Sequence, residues 1–129
     1  MKTQLTIIAA LVAGGFVSGV AVQGLRAQGK PLVYVVVDIR STNNPDALKT
    51  IAEKAAASSS VADFGGKTII RTNEITAFDG AAPKRFVLIA FDSVDKARAW
   101  HESPGQKAVE AVRMKLTDSS QFMVQGVTN

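Results

Sequence analysis

The sequence predicts an α+β domain in which strands and helices follow the order β-α-β-β-α-β. Three observations carry this expectation. Runs dense in β-branched and aromatic residues occupy 32–39, 67–72 and 85–91, each too short for a helix. Between and after them, 45–58 and 93–113 repeat apolar residues at helical spacing behind polar caps. A fourth strand-like run, 121–127, follows the last helix.

The first strand, Leu-Val-Tyr-Val-Val-Val-Asp-Ile at 32–39, is apolar on both sides and reads as a central strand. Ser41, Thr42, Asn43 and Asn44 precede Pro45, which predicts a capped helix start with Asp46 favourable to the helix dipole. Leu48, Ile51, Ala52 and Ala55 then form one apolar stripe, and the helix is expected to run on weakly through 58–60 and stop at Gly65-Gly66. The second strand is centred on Ile69 and Ile70, with a continuation at 75–78 after an irregularity. Asp79-Gly80 marks a turn and Pro83 ends the loop, so the second and third strands form an antiparallel hairpin. Ser93 caps the next helix, with Ala97 and Trp100 on its inward side. Ser103-Pro104-Gly105-Gln106 restarts it as a capping box, with Ala108, Val109 and Val112 inward. The order is that of the ferredoxin-like split pattern, a four-stranded antiparallel sheet with its helices on one face.

A leader precedes this domain. Residues 5–22 carry no charge and follow Lys2, which is the pattern of a signal peptide or a membrane helix. Gly19-Val20-Ala21 offers small residues where a peptidase would read them, and Leu25-Arg26-Ala27 is a poorer second choice. The chain of 129 residues therefore divides into a leader, 1–28, and one domain, 29–129. The expected location is periplasmic or secreted; an uncleaved leader would instead anchor the domain to the outer side of the inner membrane. Setting aside Lys2 and Arg26 leaves 13 basic against 11 acidic residues, interspersed along the chain, so nucleic acid is not an expected partner. The absence of cysteine excludes disulfides, thiolate metal sites, a cysteine nucleophile and a lipidated cysteine.

Two helices can cover only one face of a four-stranded sheet, yet the first and third strands are apolar on both. Val33, Val35 and Val37 oppose Tyr34 and Val36; Phe86 and Leu88 oppose Val87 and Ile89. Leaving five such side chains in water forgoes about 1.5–3 kcal/mol each, a sum comparable with the net stability of a small domain. The economical cover is the same face of a second copy, giving a twofold dimer.

From 31 to 127 the sequence resembles the family known as domain of unknown function 1330, within the dimeric α/β-barrel superfamily. The resemblance is carried by Gly65-Gly66-Lys67, Asp79-Gly80, Arg85, Phe91-Asp92-Ser93, Ala97 with Trp100, Ser103-Pro104, Arg113 and Gly126 in that order and spacing. Asp79 stands where the family commonly has glutamate, His101 where it commonly has tyrosine, and Gly105-Gln106 where a tyrosine often follows the Ser-Pro pair. The resemblance implies a barrel-like dimer and no particular activity. The wider superfamily includes cofactor-free monooxygenases, lactone isomerases and haem-handling proteins.

Six residues are candidates for a site. Arg85 and Arg113 have the fork geometry to hold a ligand carboxylate; for Arg113 the structural reading is preferred, at the helix C-terminus and paired with Asp118 or Glu110. Trp100 and His101, the sole tryptophan and histidine, offer a pocket wall with a general base or haem ligand, although adjacent helical residues point about 100° apart. The structural reading, which is preferred, makes Trp100 core and turns His101 to solvent. Asp38 interrupts an apolar strand, and Arg40 on the same face can pair with it, either beside a pocket or at the dimer seam. No metal-ligand spacing, nucleophile motif or dinucleotide fingerprint is present, and no cofactor is expected. Two functions follow as expectations: a small-ligand-binding dimer, or a cofactor-independent oxygenase or isomerase using Arg85, Asp38 and His101.

Overall fold

The structure is a computed structural model that describes residues 31–58 and 60–127. The leader expected at 1–28, with its cleavage positions, lies outside the described residues. The elements are β1 (Val33–Ser41), α1 (Ala47–Ser58), a 3-10 turn (Ala62–Phe64), β2 (Lys67–Thr72), β3 (Arg85–Phe91), α2 (Val94–Glu102), α3 (Pro104–Leu116) and β4 (Asp118–Gln125). The sheet order is β2-β3-β1-β4, with every neighbouring pair antiparallel. This is the ferredoxin-like fold.

Register explains how the two faces differ. Val35 lies opposite Ile89 on one side and Met123 on the other, while Val36 lies between Leu88 and Phe122. Side chains alternate along each strand, so these two rows point to opposite faces. The odd-numbered residues of β1 face the helices. Val33 and Val35 pack with Ile89, Phe91, Ala97 and Trp100. Val37 and Ile39 pack with Ile51 of α1 and Val109 of α3. The helix starts follow their caps: Ser93 Oγ accepts the Lys96 N–H, and Ser103 Oγ accepts that of Gln106.

The bounds of four elements differ from the sequence reading. β1 continues to Ser41 because Arg40 is held by Asp118 and Ser120 of β4, with a register shift between Ile39 and Ser41. α1 begins at Ala47, after Asn44 Oδ1 has accepted the Asp46 N–H in a side-chain turn. It ends at Ser58, so Gly65 (φ 75°) closes the separate 3-10 turn and not α1. β2 stops at Thr72, whose hydroxyl accepts the Glu74 N–H; 75–78 is not a strand, and Phe78 stands 99% exposed in the loop. β4 starts at Asp118, earlier than the expected 121, and it ends at Gln125, before Gly126 donates to the Leu32 carbonyl.

The other sheet face carries Tyr34, Val36, Phe86, Leu88, Ile70, Phe122 and Val124 by the same register. Among the described residues no helix packs on it. Phe122, Val124 and Ile70 are 47%, 42% and 40% exposed.

The joint between the 3-10 turn and β2 has no spare room. A Cβ on Gly66 would lie 2.5 Å from the Phe91 ring and 2.7 Å from Val61. Gly66→Ala is therefore expected to destabilise the fold by about 1–3 kcal/mol through overpacking. Gly80→Ala, whose new Cβ would meet nothing within 4 Å, should cost about 1 kcal/mol through its positive φ alone. Chemical denaturation of both variants measures the contrast; equal effects would refute it.

Candidate functional site

Between the sheet and helices α1 and α3 lies a cavity of about 330 Å³. Its floor is Val37 and Ile39 from β1 with Val87 and Ile89 from β3. Its roof is Ile51, Ala52, Ala55 and Ala56 of α1 and Val109 of α3. The alanines explain the space, because a helix that presents methyl groups cannot fill the gap that leucines would close. The size falls at the lower end of the range for small-molecule pockets.

Into this apolar shell the strands and α3 direct several polar groups. Arg71 enters from β2, Arg85 from β3, Gln106 and Arg113 from α3, and Gln121 from β4. Among the described residues no aspartate or glutamate lines the cavity. Arg113 is 4% exposed, and its Nη1 donates to Ser119 Oγ at 2.7 Å. Among the described residues no carboxylate forms an ion pair with it; Glu110 favours its charge from a distance but is turned toward His101 and Lys107. Arg85 donates from Nη1 to Asn73 Oδ1 at 2.8 Å. Burial lowers the pKa of both guanidinium groups, and the charge of Arg71 lowers that of Arg85 further. An arginine nevertheless stays protonated at any physiological pH. The cavity is consequently a fixed positive site with an apolar lining. Gln121 adds a second anomaly: both its amide nitrogen and oxygen are buried without a hydrogen-bond partner.

The six sequence candidates divide among three places. Arg85, Arg113 and one side of Trp100 meet at the cavity. Trp100 is otherwise core, its ring 5.7 Å from that of Phe91. Asp38 and Arg40 belong to the even-numbered row on the uncovered face. There Arg40 grips Asp118 with Nη2 at 2.7 Å and Nε at 3.3 Å, donates to Ser120 at 2.9 Å, and lies 3.8 Å from Asp38. The bonded Asp118 carboxylate raises the Arg40 pKa, and Arg40 lowers that of Asp118. His101 points outward, its Nε2 2.8 Å from Glu110 Oε2. Burial opposes ionisation of Glu110, yet the His101 hydrogen bond and the Lys107 charge prevail and lower its pKa. His101 borders a separate hollow of about 220 Å³ with Val35, Ala97, Arg98, Gln121, Phe122 and Met123. Arg85, Asp38 and His101 thus do not converge within one protomer. Among the described residues no group of three His, Asp or Glu side chains is placed to hold a metal ion, and no helix is long and apolar enough to cross a membrane.

Sequence reading missed Arg71, Gln106 and Gln121. Strand parity was the available signal: Arg71 lies across from Val87 and Gln121 across from Val37, both on the helix side. The bulge between Thr68 and Ile70 hides that parity for Arg71.

Residues 32–127 match the family described as "Domain of unknown function (DUF1330)". No curated protein sequence matches the chain. Among solved structures, the chain is similar to a dimeric ferredoxin-like protein of unknown function from Thermobifida fusca YX: 13% identity, 74% of this chain and 92% of that one, TM-score 0.60. It is also similar to a protein of unknown function from Rhodopseudomonas palustris, with 13% identity, 83% and 92% coverage and TM-score 0.57. An ethyl tert-butyl ether D (EthD) family protein from Bacillus halodurans C-125 shares 12% identity over 74% and 99%, TM-score 0.54. At these identities the likeness is one of fold.

A buried guanidinium without a paired carboxylate opposes folding unless something else holds it. Arg113→Met, which keeps the length and removes the charge, is expected to leave the thermal midpoint unchanged or to raise it. A calorimetric fall of about 5 °C or more, roughly 1 kcal/mol for a domain of this size, would show that Arg113 serves the fold.

Proposed function

This chain belongs to the domain of unknown function 1330 (DUF1330) family, and within it we propose a homodimer that binds a small organic molecule in the helix-side cavity of each protomer. The observation that carries this reading is the convergence of Arg71, Arg85, Arg113 and Gln121 on one apolar cavity. Convergent polar groups in an apolar hollow are the general signature of a ligand site. The dimer is supported by the unclad sheet face bearing Phe122, Val124, Leu88 and Tyr34, and by the dimeric state of the similar Thermobifida fusca protein. Two such faces stacked sheet on sheet would bury both sets of side chains. The location proposed is periplasmic or secreted, from the uncharged run at 5–22 behind Lys2.

Binding is preferred to catalysis as a cofactor-independent oxygenase or isomerase. Among the described residues the cavity lining holds no carboxylate or imidazole to serve as a general base. Asp38, a sequence candidate for that work, stands on the opposite sheet face, and His101, the other, lies on the helix side but outside the cavity.

Native mass spectrometry of the chain recovered from the exported fraction of a bacterial host tests the whole reading. The expected species is a dimer of cleaved chains, one extra small mass per protomer. Leu88→Glu, which puts a charge in the middle of the sheet face, is expected to give monomers. A monomeric parent would contradict the dimer, a dimer without added mass the cavity reading, and retention of the leader the proposed processing.

A further inference from the structure

The lining of the cavity says more than that something binds there. Three guanidinium groups line it and, among the described residues, no carboxylate does. Arg113 is the most telling: it is buried, its Nη1 donates to the Ser119 hydroxyl, and among the described residues no carboxylate forms an ion pair with it. The floor beneath it is branched aliphatic: Val37, Ile39, Val87 and Ile89. Gln121, across the floor on β4, holds an amide with donor and acceptor both buried and unmet. An unsatisfied buried amide opposes folding, so its presence in a cavity lining calls for an explanation, and a ligand atom is one.

Resting on the cavity reading above, we infer that the ligand is an organic acid: a carboxylate held by the arginines, an apolar body on the valine–isoleucine floor, and a hydroxyl or carbonyl on that body facing Gln121. The planar carboxylate suits a guanidinium fork, which offers two parallel donors. Free inorganic phosphate would satisfy the arginines but leave the aliphatic floor empty. A neutral apolar molecule would fill the floor but leave Arg113 uncompensated.

The test is calorimetric titration of protein expressed from the full chain with C6–C10 alkanoates, phenylalkanoates, their methyl esters and inorganic phosphate. The acids are expected to bind about tenfold or more tightly than their esters, the scale of one charge-assisted contact. In Arg113→Met that preference should collapse while ester binding persists, which also shows that the variant is folded; Arg113→Lys should retain part of it. Gln121→Leu should tighten simple acids, which carry no group for the amide. Esters binding as well as acids would overturn the anion assignment and leave the cavity reading intact. Phosphate competing on equal terms with the acids would overturn the apolar body, and weaker binding of simple acids by Gln121→Leu would overturn the role given to its amide. If no compound of either class binds, both the inference and the cavity reading fall.

Discussion

Helices that all pack on one side of a four-stranded sheet leave the other side to the solvent or to another molecule, and the rest of this structure depends on that constraint. The central strands meet it with two apolar rows. The row Val33, Val35, Val37, Ile39 is covered by the chain's own helices. The row Tyr34, Val36, with Phe86 and Leu88 beside it and Phe122 and Val124 beyond, is not. Small members of this second row are already shielded by their large neighbours: Val36 and Ala90 are buried. The bulky members stay partly wet, and their burial is worth about 1.5–3 kcal/mol each. Such a contiguous patch is what an interface surface looks like.

The same division assigns the chemistry to the helix side. A cavity arises there because α1 presents Ala52, Ala55 and Ala56 where larger side chains would have closed the gap. The arginines that enter it are polar intrusions into what would otherwise be core. Arg85 ends the covered row of β3, opposite Ile39, and Arg113 lies one turn beyond Val109 on the same stripe of α3. On the other face, Asp38, Arg40, Asp118 and Ser120 form a cluster that joins β1 to β4 across the bulge. Its short ion pair, Arg40–Asp118, is exposed and contributes little to stability by itself. Its position at the end of the apolar patch suits it to fix the register of whatever covers the face.

Much of the architecture was legible because local signals agreed with the global fold. The β-branched runs of β1 and β3, the caps Ser93 and Ser103, and Pro104 at a first helical turn each specify an element without tertiary help. What escaped reading depends on contacts distant in sequence. β4 begins at Asp118 because Arg40, 78 residues away, holds it. Residues 75–78 look strand-like but have no neighbour to pair with, since β2 leaves the sheet at Thr72. The site was half legible. Arg85 and Arg113 could be named from residue type and place, but their meeting depends on a void shaped by alanines, which no one-dimensional pattern displays. Gln121 lies opposite Val37 on the helix side, a parity that shows only once β4 is paired with β1. Asp38 and Arg40 share a strand face, as their spacing requires, and that face is the one away from the cavity.

Carbene footprinting of the native protein, read residue by residue by mass spectrometry, tests the central division of labour most directly. The account predicts that Tyr34, Leu88, Phe122 and Val124 are protected at micromolar concentration, while Phe78, 99% exposed on its loop, is heavily labelled. On dilution to monomer the sheet face should become labelled and the helix-side core, Ile51 and Val109, should stay protected. Labelling of Phe122 and Val124 at full strength in the native protein, independent of concentration, would contradict the claim that a second copy covers this face.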